Sequence, residues 1–187
     1  MAYFTEQQLR DLRPAFGQQR RNILTEAAGA DLTVFLSHSH RDRPLVEGLI
    51  SVLDGIGIRL YVDWNDRDMP RVTNRETAER IKGQIRRNTL FMVLATDEAL
   101  KSRWVPWEVG VADPVKGEDF ILLIPVADAS GTFRGNEFLQ LYYHLDFGAL
   151  RMQDWQRSRY RVLSPTAADS GSLLEHLQSV RNRRQVL

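Results

Sequence analysis

What most constrains this chain is an alternation of short apolar runs with longer amphipathic segments. Leu32-Thr33-Val34-Phe35-Leu36, Ile58 to Val62, Thr89 to Ala95 and Phe120 to Val126 are short apolar runs rich in β-branched and aromatic residues, with Arg59 their one charged member. They read as strands buried on both faces. Between the first two, Leu45, Leu49, Val52, Leu53 and Ile56 recur at helical spacing behind an Asp42 cap, and Gly55 and Gly57 end the segment. Thr73 with Glu76 forms a capping box that opens a second helix, running to about Arg87. A third helix follows the Thr89 to Ala95 strand. Parallel strands need crossovers of this length, so the pattern predicts an α/β fold: a three-layer sandwich with a central parallel sheet covered by helices on both faces. Ligands in such folds bind outside the carboxyl ends of the strands.

The flanks are less regular. Thr5 to about Ala28 reads as a helix, with Leu9, Leu12, Phe16, Ile23 and Leu24 at helical spacing, a Thr5/Gln8 capping box, a bend at Pro14 and Gly29 as the stop. Beyond Ala127 come a glycine-containing loop, an edge strand near Tyr142 to Leu145, an aromatic and basic stretch, and a last helix from about Ser172 to Asn182. At 187 residues this suits one domain with extensions. Residues 1–30 are an N-terminal helical extension, 31–150 the core domain and 151–187 a C-terminal helical tail that packs on it.

Charge and composition narrow the function. Lys and Arg total 25 against 24 Asp and Glu, a formal net charge of +1, so no global field draws the chain to nucleic acid or an acidic membrane. The Arg181-Asn182-Arg183-Arg184 cluster reads as a solvated helix end complementing the helix dipole. With no cysteine, disulfides, thiolate nucleophiles and cysteine metal sites are all excluded. The start, Met1-Ala2-Tyr3-Phe4-Thr5-Glu6, lacks the basic and apolar regions of a secretory signal, and Phe120 to Ala127 is too short to span a bilayer. A soluble, cytoplasmic protein is expected.

Three segments could carry chemistry. The first, Ser37-His38-Ser39-His40-Arg41-Asp42, stands at the carboxyl end of the first strand. His38, His40 and Asp42 match an H-x-H-x-D metal motif, but Arg43 stands where such hydrolases continue the motif with another histidine. Only His144 and His176 remain as further imidazoles, and Arg41 opposes a cation inside the cluster. No metal is therefore assigned. The other readings are a polar turn capped by Asp42, or the floor of a ligand crevice. The second segment is the loop Asp63 to Thr73, long and dense in charge of both signs. The third is Ser102-Arg103-Trp104-Val105-Pro106-Trp107-Glu108. Ser102 as N-cap places Pro106 among the amides that lack an intrahelical partner, and Val109, Val111 and Ala112 give an inner side until Asp113-Pro114 stops the helix. Trp104 and Glu108, four residues apart, then share one face near the crevice. The Trp104 ring could pack a flat heterocycle or a ribose, and the Trp107 indole gives the carboxylate apolar surroundings.

These residues line up with a family. From about Asp31 to Leu150 the chain resembles a bacterial Toll/interleukin-1 receptor (TIR) domain. The marks are Thr33-Val34-Phe35-Leu36-Ser37-His38-Ser39, Ile58-Arg59-Leu60-Tyr61-Val62-Asp63, Asn88-Thr89-Leu90-Phe91-Met92-Val93-Leu94-Ala95, and an S-x-W-x-x-x-E signature at Ser102 to Glu108. The resemblance implies a flavodoxin-like sheet and, for enzymatic members, cleavage of NAD at the nicotinamide–ribose bond, with NAD as substrate and no cofactor. It makes Glu108 the catalytic glutamate, with Phe35, Ser37, His38, Ser39 and Trp104 binding substrate. The product is ADP-ribose or a cyclic isomer of it. The family further implies assembly into a homo-oligomer or filament through TIR–TIR contacts, to which the Asp63 to Thr73 loop contributes. A role in Thoeris-type antiphage defence is suggested, with a phage-derived trigger and a separate effector reached through the product. The rival implied by the same family is a non-catalytic scaffold.

Overall fold

The computed structural model describes residues 3–12, 33–54, 59–62, 74–135, 137–146, 161–165 and 170–184. In chain order its elements are β1 (Phe4–Thr5), α1 (Glu6–Asp11), β2 (Thr33–Ser37), a 3-10 turn (His40–Asp42), α2 (Arg43–Asp54), β3 (Arg59–Tyr61), α3 (Arg75–Arg87), β4 (Leu90–Ala95), α4 (Asp97–Lys101), α5 (Trp104–Lys116), a second 3-10 turn (Glu118–Phe120), β5 (Ile121–Ala127), a third 3-10 turn (Glu137–Leu141), β6 (Tyr143–Asp146), β7 (Arg161–Leu163), β8 (Ser170–Ser172) and α6 (Leu173–Arg184). The sheet runs β3-β2-β4-β5-β6-β7-β8, and β1 joins β5 as a short parallel partner. All pairings from β3 to β6 are parallel; β7 and β8 are antiparallel additions. This is the expected α/β sandwich around a mostly parallel sheet.

Side-chain alternation along the strands builds two cores. On one face Val34, Leu36, Leu90, Met92, Leu94, Leu122 and Ile124 meet α1, α2 and α6 through Leu9, Leu45, Leu49, Leu177 and Val180. On the other, Phe35, Phe91, Val93, Ala95, Ile121 and Leu123 meet α3, α4 and α5 through Ile81, Ile85, Ala99, Val105, Val109 and Ala112. All six residues of β4 are buried, as a central strand covered on both sides requires. At roughly 2 kcal/mol per fully buried aliphatic side chain, these layers supply the main driving force for folding.

Several local readings shift. The edge strand near Tyr142 is β6, an interior strand, because β7 and β8 extend the sheet beyond it. The capping box of α3 uses Asn74 and Thr77 rather than Thr73 and Glu76; the Asn74 side chain accepts from the Thr77 amide while the Thr77 hydroxyl accepts from the Asn74 amide. Asn ranks above Thr as a cap, and the one-residue shift leaves Glu76 in the first turn, where it complements the dipole. Pro125 lies within β5, in the gap between the stretches that pair with β6 and β1, where a missing amide hydrogen costs least.

The described parts of both flanks join the same core. The Thr5/Gln8 capping box forms, Phe4 pairs with Val126, and Leu9 and Leu12 are buried. The rest of the expected N-terminal helix, including Phe16, Ile23 and Leu24, lies outside the described residues. At the other end β7, β8 and α6 continue the sheet and the first core past residue 150. Among the described residues no helix is long and apolar enough to cross a membrane.

Candidate active site at the carboxyl ends of β2 and β4

The chain leaves β2 toward β3 through α2 on one face, and leaves β4 toward β5 through α4 and α5 on the other. The two departures diverge at the neighbouring carboxyl ends of β2 and β4. In doubly wound sheets such a divergence marks the crevice that holds ligands. The residues of the Ser37–Asp42 segment and of the segment from Thr96 to Ser102 are its two lips.

Ser37 ends β2 two residues after Phe35, so its side chain points to the face covered by α5. There its Oγ donates to Oε2 of Glu108 at 2.5 Å, and both residues are buried. A hydroxyl that donates to an ionised carboxylate makes a charge-assisted hydrogen bond. Thus two residues 71 positions apart meet because a strand end and the second turn of a helix converge on one spot.

The start of α5 explains how Glu108 is aimed. Ser102 is extended (φ −63°, ψ 147°) and Arg103 is already helical (φ −76°, ψ −25°), so Ser102 is the capping residue by its backbone. Its hydroxyl accepts from the amides of Trp104 at 3.1 Å and Val105 at 3.5 Å, as the sequence predicts. The predicted stop at Asp113-Pro114 is not observed. The helix continues through Pro114 to Lys116 and ends at Gly117, whose φ of 74° suits glycine. Pro114 is tolerated because the carbonyl that loses its donor is that of Gly110, which is exposed and open to water. Trp104, half-buried one turn before Glu108, meets Trp107 edge to face with ring centroids 5.2 Å apart.

The other predicted site residues take distinct places. Phe35 is only 2% exposed and stacks between Tyr61 and Phe91, with centroids 5.6 and 5.5 Å away, so it lies in the core and not at an open surface. His38, half-buried, directs Nδ1 to the Leu36 carbonyl at 2.9 Å; a carbonyl only accepts, so Nδ1 carries the hydrogen. Its ring lies 6.2 Å from that of His40. Ser39 caps the 3-10 turn, its hydroxyl accepting from the Arg41 amide at 3.3 Å. Among the described residues no group of three histidines or carboxylates is placed to hold a metal. The Asp63 to Thr73 loop lies outside the described residues.

Asp42 departs most from its expected part. It does not cap α2; it closes the 3-10 turn, buried, and its Oδ2 accepts from Thr96 Oγ1 at 2.5 Å. Burial pushes its carboxyl up to about 6, aided by the charges of Glu6 and Glu98 and opposed by the hydrogen bonds from Thr96 and the Ser39 backbone. Thr96 also caps α4, a helix that periodicity alone does not reveal because it is one turn long. The signal present was Thr96 followed by Asp97 and Glu98, a cap before an acidic first turn. Outside this bridge, Arg41 and Glu98 form an ion pair at 2.8 Å.

This arrangement can be set beside known proteins. The family model described as TIR domain matches residues 34–178, most of the chain. The chain belongs to the TIR domain family. Among relatives of this TIR domain is a Bacillus cereus protein named "Probable 3' cyclic ADP-D-ribose synthase ThsB'", 29% identical over 140 residues, covering 71% of this chain and 72% of the relative. A second, from Cytobacillus dafuensis, is named "Putative cyclic ADP-D-ribose synthase TIR2". It is 29% identical over 79 residues, covering 41% of this chain and 21% of that longer protein.

Proposed function

We propose that this TIR domain cleaves NAD at the nicotinamide–ribose bond, with Glu108 as the catalytic residue, and supplies a signal molecule in Thoeris-type antiphage immunity. The observation that carries the reading is Glu108 itself. A carboxylate 7% exposed, bonded by Ser37 and one turn beyond Trp104, sits at the crevice of a doubly wound sheet. The names of both relatives support a cyclic ADP-ribose as the product class.

The chemistry suits one carboxylate. When the C1′–N bond breaks, its electron pair goes to the pyridinium nitrogen and nicotinamide leaves neutral, so no acid has to protonate it. An ordinary glycoside, by contrast, needs a carboxyl pair. Positive charge develops on the ribose, where the fixed negative charge of Glu108 stabilises it, and its oxygens can also accept from the ribose hydroxyls. Trp104 packs the substrate, Phe35 backs the floor, and Ser37, His38 and Ser39 line it. A nucleophile of the same molecule then attacks C1′ to close a ring, either an adenine nitrogen or, for a 3′ cyclic isomer such as one relative's name gives, the adenosine 3′-hydroxyl, which loses its proton; alternatively water attacks and loses a proton to give ADP-ribose. Assembly of several copies completes the site, with the Asp63 to Thr73 loop contributing across the contact.

The test is NAD consumption at high protein concentration or under a crowding agent, with the product identified by mass spectrometry. The parent is expected to consume NAD, and Glu108→Gln to lose about a hundredfold to a thousandfold in rate. Equal rates in the two would remove Glu108 from the reaction. No consumption under any assembly condition would favour the non-catalytic scaffold.

A further inference from the structure

Two buried hydroxyl-to-carboxylate hydrogen bonds close a ring of structure around the crevice. One is Ser37 to Glu108 and the other Thr96 to Asp42, each at 2.5 Å. Between them the path is continuous: from Ser37 along the Ser39-capped turn to Asp42, across to Thr96, through α4 to Ser102, and from the Ser102 cap into α5 and Glu108. Thr96 has no freedom in this path. Its oxygen accepts the Ala99 amide at 2.9 Å, so its one hydrogen is directed at Asp42. The two lips of the crevice are therefore tied by a buried bond that touches the floor only through backbone.

We infer that Asp42, held by Thr96, is a positioning residue for Glu108: it fixes the lip carrying Ser37, His38 and Ser39 against the lip that launches α5. The inference rests on the NAD-cleaving reading and adds to it a residue that acts through Glu108 and not on the substrate. Its energetic character is unusual for a merely structural group. Asp42 faces Glu6 of α1 and Glu98 of α4, and Arg41 on its own turn is engaged with Glu98, so the carboxylate is buried among like charges. A group kept at such a site for stability alone would be better neutral, because burying its charge costs folding energy.

That conflict supplies the test. Asp42→Asn keeps an acceptor for Thr96 but removes the charge that shortens and strengthens the bond. We measure kcat and KM for NAD on assembled protein, and Tm at pH about 8, for the parent, Glu108→Gln, Asp42→Asn, Thr96→Val and Thr96→Ser. Asp42→Asn is expected to lower kcat about tenfold, the scale that a small misplacement produces, with KM within about twofold and Tm unchanged or raised. Thr96→Val lowers kcat at least as far, and Thr96→Ser, which restores the hydroxyl, recovers it. Parent-like kcat in Asp42→Asn overturns the inference, as does a loss of kcat that follows a lowered Tm. If the parent and Glu108→Gln consume NAD equally, or neither does, the catalytic reading fails and takes this inference with it. If only Glu108→Gln is impaired, the catalytic reading stands and Asp42 alone is dismissed.

Discussion

The two faces of the sheet are packed from different materials. The face under α1, α2 and α6 is mostly aliphatic, with Phe4 buried in it and Phe120, Tyr143 and the His176 ring packed at its margin. The face under α3, α4 and α5 holds Phe35, Phe91 and Tyr142, with Tyr61, Trp104, Trp107, Phe133 and Phe138 packed against them. It also holds hydrogen-bonded polar pairs: Glu108 with Ser37, and Tyr142 with its hydroxyl on Asp113 at 2.9 Å. Aliphatic layers fill space without directional demands, whereas every buried polar group needs its partner in one place. The first face is thus built for cohesion and the second for geometry, and the candidate chemistry lies on the second.

Substitutions on the two faces should separate stability from activity. The largest effect is expected at Gly48, where α2 passes α1 so closely that an added Cβ would lie 1.9 Å from the Leu9 carbonyl oxygen. Gly48→Ala forces α1 away from the core and should cost roughly 3 kcal/mol in urea unfolding, while NAD turnover per folded molecule stays at the parent value. A loss of turnover without a loss of stability would mean that the cohesive face also shapes the site.

Asp42, at the rim between the faces, gives a pH signature of nearly the same size. Its folded carboxyl is raised to about 6, above the unfolded value near 3.9. The folded state therefore holds the proton longer, and this group's contribution to stability falls as pH rises from about 4 through about 6. Asp42→Asn lacks that loss. Its stability relative to the parent should grow from near zero below pH about 4 to on the order of 2 kcal/mol at neutral pH, measured by denaturation across the range. A constant difference with pH would show that the Asp42 carboxyl is not raised.

How legible each face is in the sequence follows from the same contrast. The cores were readable because burial writes itself as periodicity: β4 is apolar at every position and α3 repeats Ile81 and Ile85 at one turn. Glu108 was readable because Ser102, Trp104 and the helix register place it locally. Its meeting with Ser37 was not, since no local pattern specifies a bond across 71 positions. Asp42 was misread because a cap and a buried acceptor look alike in sequence; only the short helix after Thr96, too brief to leave a period, decides between them. Pro114 misled for a related reason, since its cost depends on whether Gly110 faces water.

Ser37 tests whether geometry on the second face serves chemistry. Ser37→Ala removes the donor to Glu108 and leaves a buried carboxylate short of one hydrogen bond. A charge-assisted bond of this kind is worth about 2 kcal/mol, so kcat should fall roughly thirtyfold if Glu108 needs it for aim. A change in stability alone, with kcat intact, would make the bond structural.

The smallest expected effect probes the far end of α5. Lys116 lies there and its ammonium donates to the carbonyls of Asn88 and of Arg86, the latter at 3.3 Å. Those oxygens end α3, whose last turn has spare acceptors and the negative end of the helix dipole, so a cation there both bonds and is attracted. Lys116 thereby clamps α3 to α5 at the edge of the sheet opposite the crevice, and Lys116→Ala should cost about 1 kcal/mol, with Lys116→Arg recovering part of it. Because the clamp sits at the amino ends of the strands and Glu108 near the carboxyl ends, turnover should not change. If Lys116→Ala did slow NAD cleavage, α5 would be transmitting movement along its length, and the position of Glu108 would depend on both ends of the helix instead of on the Ser102 and Ser37 contacts alone.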